Sequence, residues 1–255
     1  MSSSSRTAGE GTACGRRAVA EALAAGHPVN RIYFARQAKG PEIERIKELA
    51  RQRQVRFDFV DVGKLGNLAG TREHQDVVAR LSPVGYARFE ELLEQAEKVE
   101  RMAVVALDQL QHPHNVGMIL RTAAGAGVGG VLLTARSGRL ISDEVVRASS
   151  GAVFRIPIVA SSHFQRDLEA LKANGFWVYG LDAGGEDELF AVEWAAKRVL
   201  VAGNETKGLS RLVRKTVDAR VRIPLAGEMD SLNVAMATGI ALFDGVRQDG
   251  RADGR

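Results

Sequence analysis

Residues 102–121 read Met-Ala-Val-Val-Ala-Leu-Asp-Gln-Leu-Gln-His-Pro-His-Asn-Val-Gly-Met-Ile-Leu-Arg. The unbroken apolar run up to Leu107 has the length of a strand and no polar alternation, the pattern of a strand covered on both faces. Asp108 ends it, Pro113 closes a polar turn, and Asn115 is suited to cap the helix that follows. Gly117 leaves room for another backbone to approach. Arg121 comes nearly two helical turns after Asn115, on a face otherwise made of Ile119, Leu120, Ala123 and Ala124.

Outward from this unit the same alternation continues. Strands are expected at Ala103–Leu107, Gly130–Leu133, Phe154–Ile158, Trp177–Leu181, Arg198–Ala202 and Ala219–Ile223. Helices are expected at Val116–Gly125, Asp143–Ser149, His163–Ala173, Ser210–Lys215 and Asn233–Gln248. Strands alternating with helices predict an α/β fold with a mostly parallel sheet, spanning residues 102–250. On the other side lies a smaller α/β unit, residues 11–82. Its elements are a helix at Arg17–Ala25, a strand at Arg31–Ala35, a helix at Pro41–Gln54, a strand at Val55–Val60, a short helix at Val62–Leu68 and a strand at Asp76–Leu81. Ile43, Ile46, Leu49 and Ala50 supply the apolar face of its longest helix. Ser82-Pro83-Val84-Gly85 breaks the chain, and residues 83–101 read as a linker carrying the charged helix Phe89–Val99. Residues 1–10 are Ser-rich and polar and read as a disordered tail.

Composition narrows the function classes. No apolar run reaches the roughly 18 residues of a membrane span, and the N-terminus lacks the apolar core of a secretory signal. Cys14 is the only cysteine, which excludes internal disulfides and a cysteine-rich zinc site and points to the cytoplasm. The net charge of +4 is uneven: residues 1–82 hold 14 Lys/Arg against 9 Asp/Glu, whereas residues 83–255 hold 21 against 22. A basic N-terminal part suits contact with a polyanion, although a solvated surface of random bias reads the same.

Gly125-Ala-Gly127-Val-Gly129-Gly130 satisfies G-x-G-x-x-G, but these glycines end a helix and precede a strand. A dinucleotide fingerprint needs the opposite polarity, with the phosphates at a helix N-terminus, so the glycines read as a helix C-cap. Two further strand–loop–helix junctions carry polar residues at the mouth of the sheet. One is Val201-Ala-Gly203-Asn-Glu205-Thr-Lys-Gly208-Leu-Ser210, where the plain structural reading is a turn with Ser210 as cap. The other is Ile223-Pro-Leu-Ala-Gly227-Glu-Met-Asp-Ser231-Leu232-Asn233-Val-Ala-Met-Ala, where Ser231 or Asn233 caps a long, nearly uncharged helix.

Taken together and in this order, Asp108–Arg121, the run G-N-E-x-x-G-L-S and the run I-P-x-x-G-x-x-x-S-L-N-V-A-x-A resemble the three motifs of the SpoU/TrmH (SPOUT) RNA ribose 2′-O-methyltransferases. The resemblance spans residues 103–248. Gly15-Arg-Arg-Ala-Val-Ala-Glu-Ala-Leu through His74-Gln75-Asp76-Val-Val-Ala-Arg80 looks like that family's RNA substrate-binding domain, which is L30e-like. This pairing is most similar to the bacterial 23S rRNA guanosine 2′-O-methyltransferases. Two positions depart from the pattern: Thr206 where Gly usually follows G-N-E, and Asp76 where His-Gln-Gly is common.

The resemblance implies a C-terminal domain with a deep trefoil knot, formed by the chain around Gly203–Gly208 and Ile223–Val234. It also implies a homodimer through that domain, RNA as partner, and S-adenosyl-L-methionine as cofactor, contacted by Gly203, Ile223 and Leu232. Asn115, Arg121, Glu205, Ser231 and Asn233 are the implied residues of the reaction site. The resemblance implies Arg121 as base, which is at odds with a guanidinium that holds its proton far above neutrality; a two-pronged clamp on a phosphate is the plainer physical reading. Glu205 is implied either to orient Arg121 or to accept the proton. Within the enzyme class a tRNA 2′-O-methyltransferase or an antibiotic-resistance rRNA methylase stays open. Outside it, a non-enzymatic RNA-binding protein is the rival, opposed by the presence of Arg121, Glu205 and Asn233.

Overall fold

The computed structural model describes residues 11–24, 26–134, 141–227 and 229–252. They fall into two compact units, one running up to Gly85 and joined by a short segment ending at Asp143, the other starting at Tyr86. The tail expected at residues 1–10 lies outside the described residues.

The first unit contains β1 (Thr12–Cys14), α1 (Arg16–Ala24), β2 (Val29–Ala35), α2 (Pro41–Gln52), β3 (Phe57–Val60), α3 (Val62–Ala69) and β4 (Val77–Leu81). The strands form one sheet in the order β1-β4-β2-β3, with β2 and β3 parallel and the other pairs antiparallel. Its core joins Val19 and Leu23 of α1, Ile43, Ile46 and Ala50 of α2, and Ile32, Phe34, Val77 and Ala79 of the sheet. The apolar face of α2 therefore does what its spacing predicts. β1 escapes sequence reading because three residues carry no period.

The second unit begins with α4 (Phe89–Glu97) and β5 (Met102–Leu107), followed by α5 (Pro113–Gly125), β6 (Gly130–Thr134) and α6 (Asp143–Ala148). Then come β7 (Ile158–Ser161), α7 (Phe164–Ala173), β8 (Trp177–Leu181), the two-residue β9 (Asp187–Glu188) and β10 (Lys197–Ala202). It ends with α8 (Arg211–Thr216), β11 (Ala219–Arg222) and α9 (Val234–Ala252). The sheet is parallel throughout in the order β7-β6-β5-β10-β8-β11-β9. β10 thus inserts between β5 and β8, strands that precede it in sequence. Helix α4, read from sequence as part of a linker, instead gives Leu92 and Ala96 to the core of this unit beside Val104, Leu132 and Val199.

One strand is displaced from its expected place. Phe154–Ile158 is not a strand: Ala152–Phe154 is a 3₁₀ turn and the pairing starts at Ile158. Pro157 has no N–H for the ladder, and only its carbonyl joins, accepting from the Val131 N–H at 2.8 Å, so the strand starts after it.

The glycine run after α5 closes the helix as expected. Gly127 has φ +70, its N–H donates to the Ala124 carbonyl, and the Val128 N–H donates to the Ala123 carbonyl. This double bond pattern is a Schellman C-cap, and no phosphate cradle is formed there. Gly117 also has its expected reason: an added Cβ would sit 2.4 Å from the Ala148 Cβ and 2.9 Å from the Val145 carbonyl oxygen, so α5 and α6 could not approach. Among the described residues no helix is long and apolar enough to cross a membrane.

Candidate active site

The carboxyl ends of β5, β10 and β11 carry the three polar junctions, and open α/β sheets hold their ligands at such ends. Asp108, at the end of β5, is buried and accepts the Ser210 N–H at 2.7 Å. Ser210 in turn caps α8, its hydroxyl accepting the Val213 N–H. Asn204 organises the loop after β10. Its side-chain oxygen accepts the Thr206 and Lys207 N–H groups at 3.1 and 3.0 Å, and its amide donates to the Gln109 carbonyl at 2.9 Å. Gln109 is held at φ 62, a left-handed conformation that costs a non-glycine residue about 1–3 kcal/mol and persists only where neighbours fix it.

Glu205 sits where these elements meet. Its carboxylate accepts the Gln111 N–H at 3.2 and 3.3 Å, the His112 N–H at 3.1 Å and the Asn115 side-chain amide at 3.3 Å. Helix α5 has no side-chain cap of its own at His112, so the expected capping role does not fall to Asn115. Glu205, from the loop after the neighbouring strand, instead binds the N–H groups of Gln111 and His112 just ahead of the helix, and its negative charge lies near the positive end of the helix. Asn115 lies inside the first turn, buried, donating to Glu205 and accepting the Asn233 side-chain amide at 3.1 Å. Asn233 is the cap of α9: its side-chain oxygen accepts the Ala235 N–H at 2.8 Å. Three residues from three separate motifs therefore form one chain, Glu205–Asn115–Asn233.

Burial raises the Glu205 carboxyl pKa, but the hydrogen bonds from its own loop, His112, Asn115 and Gln111 outweigh it, so the group is held below the ordinary carboxylate value. It is ionised at neutral pH and a correspondingly weak proton acceptor. A depressed folded-state value stabilises the fold above the unfolded pKa and is lost as pH falls through the folded one. Glu205→Gln is accordingly expected to cost about 1–2 kcal/mol at pH 7. Thermal melts of both proteins should show the gap closing below about pH 4. A gap independent of pH would contradict the anchoring role.

Beside this chain a cleft of about 310 Å³ opens in the second unit, walled by the loop Gly203–Gly208, by Leu181–Ala183, by Ile223, Leu225, Ser231 and Leu232, and by Val234 and Ala237 of α9. Gly203, Glu205, Ile223, Ser231 and Leu232 all line this cleft. Arg121 does not: it is exposed on α5, and no hydrogen bond or ion pair to it occurs among the described residues, none with Glu205 in particular. Three contributors escaped sequence reasoning, namely Asp108, Asn204 and Asp182. The first two lie inside the quoted motifs; the last lies outside all of them.

A family model described as the SpoU rRNA Methylase family matches residues 102–243. The chain belongs to the SpoU/TrmH family of RNA methyltransferases. A second model, RNA 2′-O ribose methyltransferase substrate binding, matches residues 12–87. A Staphylococcus aureus (strain COL) protein described as a TrmH family tRNA/rRNA methyltransferase is 35% identical over 92% of this chain and 94% of its own. Among solved structures, an rRNA methyltransferase from Sinorhizobium meliloti with bound AdoMet is 29% identical, with TM-score 0.58 over 92% of this chain and 86% of its own. A structure concerned with 2-OH methylation of C/U34 on tRNA is 30% identical, with TM-score 0.55, and matches 62% of this chain over 100% of its own.

Proposed function

We propose that this SpoU/TrmH-family methyltransferase transfers a methyl group from S-adenosyl-L-methionine to a ribose 2′-hydroxyl of RNA, its target a guanosine of 23S rRNA. The observation that carries the reading is the junction of Glu205, Asn115 and Asn233 next to the cleft walled by Gly203, Ile223 and Leu232. The cleft fits the cofactor in size, at the lower end of the range for small-molecule sites. It also fits in chemistry, with apolar Ile223, Leu225, Leu232 and Val234 for a purine and the polar loop Gly203–Gly208 for the rest.

S-adenosyl-L-methionine supplies an activated methyl group. The chain's own task is to hold and polarise a neutral hydroxyl, a poor nucleophile. Arg121 serves as a fork-shaped clamp on a phosphate next to the target ribose, its charge stabilising the alkoxide that develops. A guanidinium does not give up its proton near neutrality, which favours the clamp over the base. Glu205, ionised and fully engaged, fixes the loops and takes no proton. Ser231 and Asn233 position ribose or phosphate from the start of α9.

Several finer features belong to the same reading. The insertion of β10 between β5 and β8, with both flanking loops walling one cleft, supports a deep trefoil knot around Gly203–Gly208 and Ile223–Val234. The N-terminal unit is the L30e-like RNA reader, and the setting is cytoplasmic. Helix α9 exposes Met236 (55%) and Phe243 (49%), with Ile240 between them on the same stripe, which supports a homodimer through this helix. α5 packs closely on α9, Gly239 lying against Thr122, so Arg121 would face the partner's cofactor. A monomer in light scattering at micromolar concentration would contradict this arrangement.

The ribosomal target draws on coverage: the rRNA enzyme matches 92% of this chain, whereas the tRNA-related structure has no counterpart for more than a third of it. Labelled methyl transfer to 23S rRNA and to tRNA transcripts, with the modified nucleotide mapped, tests the target. A guanosine in 23S rRNA is expected, and modification of tRNA alone would overturn the assignment.

A further inference from the structure

Asp182 follows β8 directly and belongs to none of the three motifs, yet it lines the same cleft. Its side chain is only 9% exposed. One carboxylate oxygen accepts the Gly184 N–H at 3.1 Å. The other, Oδ2, is fully buried and has no hydrogen bond among the described residues. Its nearest cations are the guanidiniums of Arg214 at 3.4 Å and Arg220 at 3.7 Å, close enough for charge attraction but not engaged as donors. A carboxylate offers about four acceptor positions, and a buried one left unfilled is costly. Buried acceptors in native proteins otherwise find a partner.

The identity of that partner follows from charge. Two guanidiniums already balance the single negative charge of Asp182, and Arg220 is shared with Glu186. A third cation at Oδ2, such as an ammonium, would leave the site with excess positive charge. A neutral donor would not. The same cleft is lined by Ile223, Leu225 and Leu232, which suit an apolar ring rather than a hydroxyl. Together these features match an adenosine whose base lies against these apolar residues and whose sugar edge faces Asp182.

We propose that Asp182 recognises the ribose of the bound cofactor, its carboxylate accepting a hydrogen bond from a 2′- or 3′-hydroxyl of the adenosine moiety. Arg214 and Arg220 hold the carboxylate in place. This rests on the cofactor assignment above and adds a residue that discriminates ribose from deoxyribose within that ligand.

The test is calorimetric titration of the intact protein with S-adenosylhomocysteine and with its 2′-deoxy and 3′-deoxy analogues. The wild type should prefer the parent over at least one analogue by about tenfold to a hundredfold, the value of a hydrogen bond to a charged group. Asp182→Ala should bind the parent more weakly and bring that ratio close to one. Asp182→Asn keeps an acceptor oxygen and should retain an intermediate ratio; it carries the comparison if the alanine variant does not fold. Reading a ratio between ligands on one protein separates recognition from a general loss of structure. An unchanged ratio in either variant would overturn the role of Asp182 while leaving the cofactor assignment standing. Failure of the wild type to bind S-adenosylhomocysteine would overturn the cofactor assignment itself.

Discussion

Arg121→Ala is expected to lower the single-turnover rate of RNA methylation by about a thousandfold, the upper range for losing one stabilising donor at a developing oxyanion. Cofactor affinity should barely change, because Arg121 is exposed on α5 and is not part of the cleft wall. The separation of the two readouts is what identifies the role. A residue that merely supports the fold would depress both, and α5 is already held at its start by Glu205 and at its end by the Gly127 cap. Arg121→Lys restores the charge but not the two-pronged geometry, so it should recover only part of the lost rate. Single-turnover rates and S-adenosylhomocysteine titrations on the three proteins decide the matter. A near wild-type rate in Arg121→Ala would remove Arg121 from the reaction.

The second large effect is expected at Gly203. An added Cβ would lie 2.3 Å from the Gly208 carbonyl carbon and 2.4 Å from the Leu209 nitrogen. Both are backbone atoms, and the loop is closed on itself by reciprocal bonds between Asn204 and Gly208 at 2.9 Å. Neither side can yield without opening the loop that carries Glu205. Gly203→Ala should therefore cost roughly 3 kcal/mol, the upper range for overpacking a tight site, and should also abolish cofactor binding. Gly125→Ala is the control: nothing lies within 4 Å of its added Cβ, so it should be neutral or slightly stabilising. Urea denaturation of the two variants beside the wild type reads both effects. Equal stability of Gly203→Ala and wild type would mean that the loop is not built as described.

How far the sequence speaks depends on the range of the interaction. The parallel sheet is readable because β5 and the central residues of β6, β8 and β10 are short apolar runs, the signature of burial on both faces. The Schellman cap after α5 was readable because a glycine at a helix end is a local requirement. Motif order brought Asn115, Glu205 and Asn233 to attention, but not their hydrogen-bonded chain, which spans up to 118 residues of sequence. For the same reason the local spacing suggests a cap at Asn115, whereas its side chain bonds Glu205, 90 residues further on. Asp182 was invisible because a single aspartate after a strand has no local signature. The expected linker failed on a similar point: the charges of α4 face outward, and only the sheet reveals that Leu92 and Ala96 are core.

The central claim, methylation of a ribose 2′-oxygen, is tested most directly by the alkali stability of the product. Alkaline cleavage of RNA needs a free 2′-hydroxyl as internal nucleophile, so a 2′-O-methylated residue protects the linkage that follows it. RNA labelled by the intact protein with methyl-labelled S-adenosylmethionine should, after exhaustive alkaline hydrolysis, release its label in a dinucleotide. Label recovered only in mononucleotides would mean that the methyl group is on a base, and would contradict the account.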